Sequence, residues 1–169
     1  MTKAGQFVGV CRGIVTSNAD PEQMGRVQVK VPGILAIPDA LWAVRCSPLA
    51  GKTSGTYFMP EPGDEVLVAF EQGDPRQPIV IGSLWNGTDK PPAAEGANPP
   101  DSVIAIQSKA QHAFVIRDAT GPSGGVEIRS ASGAMISVSN AAITIDSGSG
   151  ASIVLQGSSV VVNGKPLRP

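Results

Sequence analysis

The chain has 169 residues, enough for one ordinary domain or two small ones, and a formal net charge of −1 with only 16% charged residues. Its sequence pI near 5.8 argues against nucleic acid as a partner, since such proteins concentrate basic residues on one face. No apolar run approaches the roughly 20 residues of a membrane-spanning helix, and the opening MTKAGQFVGV lacks the apolar stretch of a secretory leader. The expectation is therefore a soluble protein made in a cytoplasm.

Aromatic residues make up only 4% of the chain, so any core must be built from Val, Ile, Leu and Ala. In chain order, five stretches read as strands: residues 7–17, 25–32, 41–47, 65–71 and 78–84. Asn18 to Pro21, Pro38-Asp39, Pro62 to Asp64 and Gly73 to Pro75 supply turn chemistry between them. No segment has a sustained helical period. Five strands in this length, joined by unequal loops, fit a small closed barrel of the OB type. Closure also removes exposed strand edges.

The composition changes near residue 90. Residues 1–89 hold both tryptophans, the single tyrosine and three of the four phenylalanines. Residues 90–102 are rich in proline and read as a semi-rigid spacer. Residues 103–169 repeat a simpler pattern of apolar pairs: Ile104/Ile106, Phe114/Ile116, Val126/Ile128, Ile136/Val138, Ile143/Ile145, Ile153/Leu155 and Val160/Val162. Small turn residues separate them, which is a repeat signature. Each strand offers two or three inward side chains, too few to bury a face alone. Identical chains wound about a common axis would cover it. That predicts an axial core of Ile136, Val138, Ile143, Ile145, Ile153, Leu155, Val160 and Val162.

The run from Pro60 to Phe70 (PEPGDEVLVAF), that from Gly73 to Leu84 (GDPRQPIVIGSL) and that from Asn86 to Pro92 (NGTDKPP) resemble a known signature. It is that of the central spike proteins of phage baseplates (the baseplate assembly protein V type), of VgrG spikes of type VI secretion and of extracellular contractile injection systems. GRVQVKVP at Gly25 to Pro32 and the strand at Trp42 match too, and the later repeats are similar to the family's triple-stranded β-helix. The resemblance implies an all-β homotrimer, with OB barrels as a collar and an intertwined C-terminal needle driven through a target envelope. It implies assembly into a tail baseplate, no enzymatic activity and no cofactor. Departures from longer relatives imply a separate hub protein at the barrel end, because six residues precede the first strand. A lysozyme domain has no room in the linker. A histidine-based metal tip has no ligands, since His112 is the single histidine. A tip protein of the PAAR-repeat type is then expected on Pro166, Leu167, Arg168 and Pro169. Contact with the target membrane would be transient.

Other motifs carry less. Ala50 to Thr53 (AGKT) resembles the end of a phosphate-binding loop, but Cys46 stands where its first glycine belongs and no helix follows. Glu61, Asp64 and Glu65 flank a proline–glycine turn, where solvated acids are common, rather than facing each other across a cleft. Asp74 reads as turn chemistry, and His112 as a surface or interface residue. Trp42 and Trp85 read as barrel core or collar contacts, and Cys11 and Cys46 as buried small apolar groups. Asn86 to Thr88 fits a glycosylation sequon without a secretory context. A carbohydrate-active tailspike would need acids and aromatics along a groove, and an OB nucleic-acid binder would need a basic groove with stacking aromatics. The repeats have neither.

Overall fold

The alternation read from the sequence folds as strands in both halves. The computed structural model describes residues 7–34, 40–91 and 102–167. Backbone contacts divide the chain into two units, Met1–Asp89 and Lys90–Pro169. Pro38-Asp39 and residues 92–101 of the expected linker lie outside the described residues.

In the first unit, β1 (Val10–Ser17), β2 (Val27–Lys30), β3 (Leu41–Arg45), β4 (Glu65–Phe70) and β5 (Pro78–Ser83) close into a barrel of order β1-β2-β3-β5-β4. β3 and β5 run parallel, and the other pairs are antiparallel. The largest fully buried side chains are all valines: Val15, Val27, Val29, Val66 and Val68. Valine's branched Cβ suits an extended backbone, and its volume suits a narrow barrel. Phe7 closes one end against Phe70, with ring centroids 5.7 Å apart.

The turns are made as the residue types dictate. Pro62-Gly63 forms a tight turn with Gly63 at φ +101°, a value glycine accepts without strain. The Asp64 amide donates to the Glu61 carbonyl, and the Asp64 carboxylate accepts from the Glu61 amide at 2.8 Å.

In the second unit, eight strands follow one another as an antiparallel meander: β6 (Val103–Gln107), β7 (Ala113–Arg117), β8 (Gly125–Arg129), β9 (Met135–Ser139), β10 (Ile143–Asp146), β11 (Ser152–Gln156), β12 (Ser159–Val162) and β13 (Lys165–Pro166). Each strand pairs with its sequence neighbours, so the backbone ladder lies within a single chain. Gly125 shows how tightly the strands approach. Its φ is +138°, and a Cβ there would collide with the Val138 carbonyl. From Ser130 to Gly164 the chain carries one ionisable side chain, Asp146.

Candidate functional site: an uncovered apolar face

Register turns the apolar pairs into two continuous columns. Ile104 faces Ile116, which is followed in order by Val126, Val138, Ile143, Leu155 and Val160. The second column runs Ile106, Phe114, Ile128, Ile136, Ile145, Ile153 and Val162. Because side chains alternate across a strand, both columns lie on one face. That face is open in the single chain: Ile128 is 53% exposed, and Ile136, Val138, Ile143, Ile145, Ile153 and Leu155 are exposed as well. Val160 and Val162 on the same columns are half-buried. The eight axial residues expected from the sequence thus share one surface, and the columns extend it back to Ile104.

The opposite face mixes charged and hydroxyl side chains with apolar ones such as Val115, Met135, Val154 and Val161. Glu127 pairs with Arg117 at 3.3 Å and with Arg129 at 3.6 Å. Ser137, Ser139, Thr144 and Ser152 follow along that face, with Val115 buried among its neighbours. A contiguous exposed apolar surface of this extent is the mark of an interaction face.

Loops tie successive hairpins together. The Ala131 amide donates to His112 Nδ1 at 3.3 Å, which gives His112 a role joining two turns. The Ser152 amide donates to Asn163 Oδ1 at 2.8 Å. Asn163 and Gly164 both take positive φ, 49° and 74°, as a two-residue hairpin requires. That hairpin creates β13, a strand beyond the last apolar pair read from the sequence. Pro166 therefore lies in an edge strand, and Leu167 beyond it is 62% exposed. Arg168 and Pro169 lie outside the described residues.

The barrel places its charged residues in turns. Asp20 accepts from the amides of Glu22, Met24 and Arg26 and from the Arg26 guanidinium at 2.8 Å. The Arg26 side chain, followed by these amides, holds the Asp20 carboxyl well below the usual carboxylate range. The Arg26 guanidinium also lies 5.6 Å from the Trp42 ring centroid. Arg45 donates to the carbonyls of Gly25 and Phe58 and sits 5.0 Å from the Tyr57 ring centroid. Arg76 lowers the Asp74 pKa to about 2 through its side-chain hydrogen bond. Glu65 pairs with Arg12 at 2.7 Å. These acids serve turns and ion pairs, as their sequence context indicated. Ala50 and Gly55 form a bridge across a short reversal, not a phosphate cradle.

Two expectations need correction. Cys46 is exposed rather than buried, because just past the end of β3 it keeps the outward parity of Trp42 and Val44; Cys11 is half-buried against the barrel core. Trp85 is exposed beyond the end of β5 and Trp42 is half-buried on the barrel's outside, so of the two alternatives for the tryptophans barrel core falls and collar contact is left. Among the described residues no group of three or more His, Cys, Asp or Glu could hold a metal ion, and no helix is long and apolar enough to cross a membrane.

Comparison with known proteins accounts for both units. Residues 11–85 match the family model of the type VI secretion system/phage-baseplate injector OB domain. Residues 103–168 match that of the phage baseplate V C-terminal trimerisation domain. Among curated proteins, the type VI secretion system spike protein VgrG5 of Pseudomonas aeruginosa is 34% identical over 91 residues, 52% of this chain and 12% of the relative. VgrG1a of the same organism is 40% identical over 59 residues, 35% of this chain and 9% of the relative. VgrG3 of Vibrio cholerae is 32% identical over 77 residues, 43% and 8% respectively. The matched region is thus a small part of each of these relatives.

Proposed function

Because this chain belongs to the phage-baseplate and type VI secretion injector family, we propose that it is a non-enzymatic central spike whose C-terminal sheets dock in threes to form a needle driven through a target envelope. The carrying observation is the open apolar face. In one chain it has nothing to bury against, and three copies about an axis would cover it. Ile136, Val138, Ile143, Ile145, Ile153, Leu155, Val160 and Val162 would then meet their own copies. Each chain completes its own backbone ladder, so the copies would associate through side chains packed face to face.

The C-terminal hairpin supports a second part of the reading. Pro166 and Leu167, continued by Arg168 and Pro169, would seat a small tip protein of the PAAR-repeat type. A separate hub protein would receive the barrel end, and membrane contact would occur only during firing. The particle would be assembled from protein made in a bacterial cytoplasm.

Light scattering after size-exclusion chromatography, repeated across dilution, tests the trimer. A mass three times 17.3 kDa supports it, and a mass of one chain at all dilutions removes it. Pull-down with a PAAR-type protein tests the tip. Leu167→Asp and removal of residues 165–169 are both expected to leave the trimer intact and abolish capture; unchanged capture would move the tip site elsewhere.

A further inference from the structure

Arg45 stands apart from the other arginines. Among the described residues, Arg12, Arg26, Arg76, Arg117 and Arg129 each pair with a carboxylate, and Arg45 pairs with none. Its side chain is half-buried and held by neutral groups. Nε donates to the Gly25 carbonyl at 2.8 Å and Nη1 to the Phe58 carbonyl at 2.7 Å, while the Tyr57 ring centroid lies 5.0 Å from the guanidinium carbon. Carbonyls and a ring face attract the charge without neutralising it. Nη2, the third nitrogen, makes no hydrogen bond among the described residues. It lies beside Gly25, where a Cβ would come within 3.6 Å of it and within 3.4 Å of Tyr57 Cε2. The surface around this cation is apolar. Tyr57 is 69% and Phe58 52% exposed, and Met24, next to Gly25 in the chain, is exposed as well. The segments that carry these residues are fixed. Asp20 accepts from the Met24 and Arg26 amides, Asn18 Nδ2 donates to the Pro60 carbonyl at 3.1 Å, and Ser47 Oγ donates to the Thr56 carbonyl at 2.9 Å.

We propose that Arg45, Tyr57, Phe58 and Met24 form a docking site for another protein, a segment of which sets an aspartate or glutamate on the Arg45 guanidinium and an apolar side chain on the exposed rings. Charge complementarity selects this occupant. A fixed cation without a counter-charge favours a carboxylate, and a planar guanidinium binds one through charge-assisted hydrogen bonds. The apolar rim adds a demand that a bare anion does not meet. Arginine, tyrosine, phenylalanine and methionine are the residue types enriched where proteins join. Acids of the chain itself are committed elsewhere: Asp20 and Glu22 to Arg26, Glu65 to Arg12, Asp74 to Arg76, and Glu127 to Arg117 and Arg129. Because the segments are held in place before a partner arrives, binding has little order to impose on them. The site lies within one barrel and is independent of the trimer.

Selection of a random peptide library, displayed on phage, against the immobilised full chain tests this. The enriched peptides are expected to share an acidic residue beside a large apolar one. A synthetic peptide of enriched sequence, followed by fluorescence polarisation, should lose about tenfold in affinity on Arg45→Gln and as much when its own acid is replaced by the amide. Arg76→Gln, at a guanidinium already paired, should leave binding unchanged. Tyr57→Ser keeps both carbonyl bonds of Arg45 and should weaken binding as well, so the site stays testable if Arg45→Gln disturbs the barrel. No enrichment, enriched peptides without an acid, or full binding by either variant that keeps the barrel's thermal transition overturns the site. So does a photo-reactive benzoylphenylalanine in place of Tyr57 that cross-links copies of this chain to one another with no peptide present, because the patch is then covered within the assembly.

Discussion

The barrel and the C-terminal sheet use the same material, short strands of Val and Ile separated by turn residues, and reach opposite outcomes. The barrel curls until its apolar face becomes an interior, where Val27, Val66 and Val68 have no exposure. The sheet stays open, and its Ile and Val columns remain half in water. Closure depends on non-local pairing. β1 meets β4 and β3 meets β5 across long separations, whereas every strand of the sheet meets only its sequence neighbours. Because β6 and β13 do not pair, the meander does not close over its own face. The match of residues 103–168 to a trimerisation-domain model agrees with that uncovered face.

This contrast can be broken from the sheet side first. Ile145→Asp is expected to have the largest effect: three carboxylates would be buried unpaired near the axis, and the mass in solution should fall from three chains to one. The barrel should survive, which near-ultraviolet circular dichroism of Trp42 and Tyr57 would register. A trimeric Ile145→Asp protein would place that column outside the interface.

Gly125→Ala should come next. A methyl there would strike the Val138 carbonyl at a φ of +138°, a conformation that costs on the order of 1–3 kcal/mol for residues other than glycine. The expected result is an earlier thermal transition for the sheet and an unchanged one for the barrel, read by calorimetry. Val68→Ala inverts the test. It should remove about 2 kcal/mol from the barrel by opening a small cavity, and leave the trimer mass as it was. If both substitutions shift one common transition, the two units unfold together and the comparison loses its force.

The smallest effect is a dependence on acid. Asp20 has a folded pKa below its ordinary 3.8, so its ionised form favours the folded barrel. That contribution is complete above about pH 4 and is lost as the pH falls below it. Asp20→Asn should lower barrel stability slightly at neutral pH and flatten its decline in acid, measured by denaturant unfolding between neutral pH and pH 2.

Most of this architecture was legible because turn chemistry and period-two alternation coincide. Ile143 and Ile145 announce a strand, and Ser147 to Gly150 announce its end. β13 was missed because a two-residue strand has no period, although Asn163-Gly164 is the residue pair a tight hairpin wants. The setting of Arg45 was not legible either. Gly25, Arg45 and Tyr57 are scattered along the chain and become neighbours only in the folded barrel. Cys46 shares the outward parity of Val44, so alternation along β3 already pointed away from a buried thiol there. The partnership of Arg26 with Trp42 depends on how the loop held by Asp20 folds.

The single ionisable side chain between Ser130 and Gly164 bears on how a needle would travel. Cell envelopes are polyanionic, and a basic shaft would stick to them while a strongly acidic one would be turned away. A shaft with so few charges experiences little of either force. Its friction would be set by shape and hydration, and its passage should vary little with ionic strength.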